Sequence, residues 1–302
     1  VKKLGRKSIM YISELFKQKN VVVSFEIFPP KQTSSIDTIY ETIDALAPLR
    51  PDYISVTYGA GGSTSKTTLE IASIIKNKYR INALAHLTCY NSSREDIDKI
   101  LSDLQKANIA NILALRGDRP QNWKPGEEKQ ADFRYAADLA RYISSRYDFC
   151  LGGACYPEGH PECSDLDKDV ENLKRKEESG VDFLITQLFF DNEKYYRFKE
   201  KVDRLNIRIP IQVGIMPITN RKQVERMIEL SNATIPSKLI RILDKFEHNQ
   251  QAIRDAGIAY ATEQIIELLS NDVRGIHIYT MNKPQVAKDL VRNLDSLIYA
   301  LN

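Results

Sequence analysis

The stretch VVVSFEIFPPK (21–31) sets one carboxylate, Glu26, inside a β-branched and aromatic run that ends at two prolines. A carboxylic acid flanked by Phe25, Ile27 and Phe28 has its charged form disfavoured by desolvation, which raises its pKa towards working pH and keeps a proton available. The structural alternative is a carboxylate paired with a lysine or arginine of the fold, since unpaired burial would cost several kcal/mol. Other apolar runs also stop at groups able to bind or transfer: Thr57 and Tyr58, His86 to Thr88, Arg116-Gly117-Asp118, Tyr156 with His160, Gln187, Met216-Pro217, and Tyr279 to Asn282. Singly, each has an ordinary reading. His86 reads as a hydrogen-bonded core histidine, Gln187 as a satisfied buried amide and Asp118 as a turn cap. Their joint occurrence at corresponding points along the chain points to an active site collected from all of it.

Those points are the ends of strand-like runs. The runs are VVVSFEI (21–27), YISVTYG (53–59), INALAHL (81–87), NILALRG (111–117), FCLGGAC (149–155), DFLITQLFF (182–190), IPIQVGI (209–215) and GIHIYT (275–280), eight in all. Between them lie segments such as SREDIDKILSDLQKA (93–107) and DKDVENLKRKEES (167–179), whose apolar residues recur every three or four positions. Strands apolar on both faces and separated by helices predict a parallel sheet, and eight such units predict a closed (β/α)₈ TIM barrel, with an open doubly wound sheet as the alternative. In a barrel every downstream strand end opens on one face. PSKLIRILDKF (236–246) and AGIAYATEQIIELL (256–269) are extra helices expected before the last strand, within a single domain covering 1–302.

Composition narrows the partners. The chain of 302 residues is 42% hydrophobic and 27% charged, enough for a sizeable core. Forty-three basic against forty acidic residues leave a net charge of +3, too balanced to attract nucleic acid or a membrane surface by field alone. No signal-like or membrane-spanning run is apparent, and a cytoplasmic location is expected. Cys89, Cys150, Cys155 and Cys163 read as reduced thiols. Cys155, His160 and Cys163 lie within nine residues but fit no common zinc spacing, so no metal is expected. The stretch GAGGST (59–64) falls short of a dinucleotide fingerprint, because its sixth residue is Thr64. A phosphate-bearing cofactor would therefore rest on barrel loops and on basic groups such as His160, Arg175 and Lys176.

The segments SFEIFPPK, VTYGAGGS, HLTC, ALRGD, YPEGHPE, NLKRK, ITQLFFD, GIMPI and HIYTMN occur in this order. Together they resemble a methylenetetrahydrofolate reductase of the short, bacterial, catalytic-domain-only type, over residues 21 to about 290. The resemblance implies a barrel holding non-covalent FAD that reduces 5,10-methylenetetrahydrofolate to 5-methyltetrahydrofolate in a ping-pong cycle, with NADH or NADPH as donor. It also implies a homo-oligomer.

By the same resemblance, Glu26 matches the general acid that protonates the folate's bridging nitrogen. Asp118 matches the aspartate beside flavin and pterin, and Gln187 the glutamine that contacts substrate. Flavin-binding positions fall on Thr57, Tyr58, Ala60, His86, Arg116, Gly117, Asp118, Tyr135, Ala136, Tyr156, His160, Asp169, Asn172, Arg175 and Lys176. Two positions depart from the family pattern. Arg221 stands where relatives often carry an aromatic residue that stacks on the alternating substrates, and Lys283 where some carry arginine to meet the folate's glutamate tail. Arg221 leaves open a second reading, a flavoprotein subunit that receives electrons from a partner protein.

Overall fold

The computed structural model describes residues 10–30, 35–58, 64–118, 132–163 and 165–302. Eight parallel strands close on one another in chain order: β1 (Val22–Ile27), β2 (Tyr53–Val56), β3 (Asn82–Thr88), β4 (Asn111–Leu115), β5 (Cys150–Cys155), β6 (Phe183–Thr186), β7 (Ile211–Ile215) and β8 (Gly275–Tyr279). The seam is β1 against β8, with Val22 opposite Gly275 and Glu26 opposite Tyr279. All eight runs expected from the sequence are strands of this TIM barrel, although several stop early. The run 53–59 leaves the sheet after Val56, and 182–190 after Thr186, so Thr57 and Gln187 stand on loops at the mouth.

The eleven α-helices of the described residues are α1 (Ile12–Gln18), α2 (Asp37–Leu46), α3 (Thr64–Asn77), α4 (Arg94–Lys106), α5 (Ala136–Ser144), α6 (Leu166–Glu178), α7 (Asn192–Arg204), α8 (Arg221–Ser231), α9 (Ser237–Phe246), α10 (Gln250–Ser270) and α11 (Pro284–Leu301). Their starts follow local chemistry. Ser93 and Asp96 form a reciprocal capping box on α4, while Asp165, Asp191, Asn220 and Asn249 accept backbone N–H bonds at the starts of α6, α7, α8 and α10. The extra helices expected before the last strand are α9 and α10. No helix among the described residues is long and apolar enough to cross a membrane.

Two apolar layers result. The outer one lies between strands and helices and includes Ile27, Ile43, Ile54, Leu87, Ile112, Leu151, Leu184 and Leu290. The inner one fills the upstream half of the barrel with Val22, Tyr53, Leu84, Leu113, Cys150, Phe183 and Ile185, closed from below by Ile12, Leu15 and Phe16 of α1. The rings of Phe16 and Phe183 lie 5.7 Å apart, and the Ile12 N–H donates to Asn111 Oδ1 at 2.8 Å. Only the downstream mouth is left for chemistry.

A third cluster supports that mouth. Met216 and Ile218, beyond β7, pack with Leu188, Phe190, Val224, Leu239, Leu243 and Ile253, so α8, α9 and α10 form a shelf under the β7 loop. Contact there is close enough to require glycine. A Cβ on Gly257 of α10 would lie 1.9 Å from Ile218 O, a backbone atom with little room to yield. Gly257→Ala is therefore expected to lower stability by about 1–3 kcal/mol through forced separation of α10 from the β7 loop, read as a lower urea midpoint at unchanged slope.

Candidate active site

Glu26 is the second-to-last residue of β1 and 6% exposed. Among the described residues, neither lysine nor arginine pairs with it. Two imidazoles do meet it: His277 Nε2 stands 3.4 Å and His86 Nε2 3.5 Å from the same carboxyl oxygen, Oε2. Each imidazole has a serine beside it, Ser24 Oγ at 2.7 Å from His277 Nδ1 and Ser55 Oγ at 2.6 Å from His86 Nε2. Burial pulls the His86 pKa down to about 4, with Glu26 opposing that shift and His277 adding to it. His86 is thus neutral near pH 7, a polar contact with no charge to pair with Glu26. The Glu26 backbone is held as well, its carbonyl accepting from Thr280 Oγ1 at 2.6 Å.

Tyr279 connects Glu26 to a second group of residues. Its hydroxyl donates to Thr186 O at 2.8 Å, and its ring covers Gly214, where a Cβ would lie 2.7 Å from the ring edge. Burial first, then the Glu26 charge and Tyr156, raise its pKa well above the ordinary value, so it keeps its proton. Beyond it, at the ends of β4 and β5, the Tyr156 and His160 rings meet edge to face at 4.7 Å, and the His160 backbone N–H donates to Asp169 Oδ2 at 3.1 Å. Arg116 makes a forked ion pair with Glu162, one arm at 2.9 Å. Asp118 is exposed at the rim and acts electrostatically on both Arg116 and Tyr156. Lys176 donates to Ala154 O at 2.6 Å, and burial lowers its pKa while raising that of Asp169.

Gly117 sits at φ +87°, and a Cβ there would stand 2.9 Å from Thr88 Cβ, so the RGD turn needs glycine twice over. Thr57 donates its N–H to Ile27 O, and Tyr58 shares a small cavity with His86. Tyr135 and Ala136 start α5. Gln187 donates its N–H to Cys155 O and accepts the Leu188 N–H at its own Oε1. Arg175 is exposed, with Asn172 at 3.4 Å. Lys283 Nζ reaches Thr219 Oγ1 at 2.7 Å. Ala60 and most of GAGGST lie outside the described residues. Arg221 turns outward to Glu225, Asp244 and Glu247, tying α8 to α9. No group of three metal-ligating side chains occurs among the described residues.

His277, Ser24, Ser55 and Gln212 join the site without having been singled out from the sequence. The available signal is spacing by two: Ser24 faces the same way as Glu26, and His277 the same way as Tyr279.

The fold and site define a (β/α)₈ barrel whose downstream mouth holds one buried carboxyl group contacted by two imidazoles, beside Arg116 and the rings of Tyr156 and His160. Residues 11–295 match the family described as methylenetetrahydrofolate reductase. The chain is 34% identical to the 5,10-methylenetetrahydrofolate reductase of Salmonella typhimurium, over 92% of both chains. It is 35% identical to methylenetetrahydrofolate reductase (NADH) 1 of Arabidopsis thaliana, over 94% of this chain and 50% of that one. The chain belongs to the methylenetetrahydrofolate reductase family, and it spans about half the length of the plant and fission-yeast relatives it matches. Its fold is also that of a Clostridium thermocellum protein described as binding two copies of 5-methyl-5,6,7,8-tetrahydrofolic acid, with a TM-score of 0.64, 15% identity and coverage of 96% and 100%.

The rim fits a flavin dinucleotide chemically. Arg175, and Arg116 on exchange of its Glu162 partner, supply guanidinium donors of the kind a diphosphate needs, Lys176 an amine donor, Asp169 and Asn172 partners for hydroxyls, and Tyr156 and His160 ring faces.

The His86 shift has a sign that can be tested. Its folded pKa, about 4, lies below the ordinary 6.5, so between those values the unfolded chain binds a proton that the folded chain refuses. Stability therefore falls as pH drops from 6.5 towards 4. Urea unfolding across that window should show this decline, with a shallower slope in His86→Gln.

Proposed function

We propose that residues 1–302 act as one flavin-binding catalytic domain that reduces 5,10-methylenetetrahydrofolate to 5-methyltetrahydrofolate, with NADH or NADPH as donor and non-covalent FAD as carrier. The observation that carries this reading is the Glu26 carboxyl, buried at the mouth with both imidazole contacts on Oε2. FAD, when bound, supplies the hydride. Glu26 gives its proton to the bridging nitrogen of the folate's five-membered ring, and the ring opens to an iminium that accepts hydride. Asp118, exposed beside Arg116, offers negative charge to that cation. Gln187 and Lys283 stand on the rim to hold the substrate, Lys283 serving the glutamate tail with a point charge. A folate ligand is also named for the structurally similar clostridial protein.

A second reading, electrons delivered by a partner protein, rests on Arg221. Its guanidinium is engaged by three carboxylates of α8, α9 and the turn after α9, so no aromatic ring is offered there for a nicotinamide.

Anaerobic stopped-flow spectroscopy separates the two readings. Bleaching of the flavin by NADH or NADPH, followed by reoxidation with methylenetetrahydrofolate, is the outcome expected for the self-sufficient reductase. A flavin that ignores both nicotinamides, yet is reoxidised by the folate after chemical reduction, supports the partner-dependent subunit. Glu26→Gln should slow folate-driven reoxidation roughly 10²- to 10⁴-fold while sparing flavin reduction. Equal loss of both half-reactions would remove Glu26 from the acid role.

A further inference from the structure

Behind Glu26 runs a buried chain of polar groups. Ser24, Gln212 and His277 are fully buried, each inside the barrel. Tyr53 keeps its proton, because burial raises its pKa, and donates its hydroxyl to Gln212 Oε1. The Ile276 and Val22 carbonyls, which can only accept, settle which way the Gln212 amide points. Its Nε2 lies 2.8 Å from Ser24 Oγ, 2.9 Å from Ile276 O and 3.1 Å from Val22 O, so its two hydrogens are shared among three oxygens.

Ser24 Oγ lies 2.7 Å from His277 Nδ1, close enough to give it the hydroxyl hydrogen. A neutral imidazole that accepts at Nδ1 carries its proton on Nε2, which faces Glu26 Oε2 at 3.4 Å. The reverse tautomer would instead let Nε2 accept an O–H carried on Oε2, which is the alternative the test below must exclude. The ring plane is also set: Tyr53 stacks on His277 at 6.2 Å, and Tyr279 meets its edge at 5.2 Å.

We propose that His277 is a positioning residue for Glu26, held by Ser24 and Gln212 in the tautomer that donates Nε2–H to Oε2, so that the transferable proton resides on Oε1. This inference rests on the general-acid reading of Glu26. An oxygen that accepts an N–H bond is the poorer place for the acid's hydrogen, so the two oxygens become unequal before substrate arrives. On transfer, the O–H bond of Oε1 breaks, the proton passes to the folate nitrogen, and the new carboxylate is stabilised by the N–H that His277 keeps. The 3.4 Å separation is long for such a bond and would shorten as negative charge develops. The titratable groups facing Glu26 are Tyr53 from β2, His86 from β3, and His277 and Tyr279 from β8.

Two measurements test this. Nitrogen-15 NMR of histidine-labelled protein without flavin should show His277 protonated at Nε2 and bare at Nδ1, and Ser24→Ala should blur that preference. Protonation at Nδ1 in the wild type overturns the proposal. In the flavin-loaded enzyme, His277→Phe should slow folate-driven reoxidation roughly 10- to 100-fold and displace its pH profile, with flavin reduction within about twofold of wild type. His277→Gln, which restores an amide donor, should recover much of that rate. Unchanged reoxidation in His277→Phe, equal loss of both half-reactions, or no recovery with Gln would each refute the positioning role. If reduced wild-type enzyme is itself not reoxidised by methylenetetrahydrofolate, the reductase reading fails, while the nitrogen-15 spectrum still decides the His277 tautomer independently.

Discussion

Closure of eight parallel strands leaves no free sheet edge and turns every second side chain into a narrow interior from which water is excluded. Any polar group placed there must find its partner inside the barrel, since an unmatched one costs about 1–3 kcal/mol or more. The upstream half meets this condition with apolar volume, Val22, Leu84, Leu113, Phe183 and Ile185, closed by Phe16 of α1. Polar groups inside meet it through a connected set that runs from Tyr53, in the upstream layer, through Gln212, Ser24 and His277 to Glu26, His86 and Ser55. The position of Glu26 follows from that set.

This arrangement explains how a buried acid is tolerated without a cation. A lysine or arginine beside Glu26 would hold it as a carboxylate and oppose proton donation. Two imidazoles stand at Oε2, and His86 is kept neutral by burial. The cations are instead gathered at the ends of β4 and β5. There Arg116 is braced by Glu162 and Lys176 by the Ala154 carbonyl. Tyr279, bonded to Thr186 and lying against Gly214, stands between the two environments.

The shelf formed by α8, α9 and α10 is the part of the fold that goes beyond eight simple repeats. It packs under Met216 and Ile218, and its approach at Gly257 is close enough to exclude any side chain. Thr219, on the same loop, accepts from Lys283 Nζ, and its hydroxyl reaches Gln223 Oε1 at 2.7 Å. The extra helices therefore brace the loop that positions a rim cation. Arg221 crosses from α8 to α9 and fastens the shelf at its outer edge.

Much of this was legible in the chain. Eight apolar runs separated by amphipathic segments determined the barrel, because a strand buried on both faces and a helix buried on one leave different periodicities. Polar residues at the run ends marked Glu26, His86, Arg116, Asp118, Tyr156 and Gln187, and parallel strands bring all such ends to one mouth. The seven residues of α1 are too few to carry a periodic signal, and their role as a plug depends on Phe183, far along the chain. The partners of Glu26 escaped for the same reason: His86 and His277 lie 60 and 251 residues away, and only closure of β8 against β1 brings His277 to Oε2. Sequence decided which residues face inward, because side-chain alternation is a local property. Tertiary structure decided what they face, because contact across a closed barrel depends on strand register and seam, which no short segment encodes.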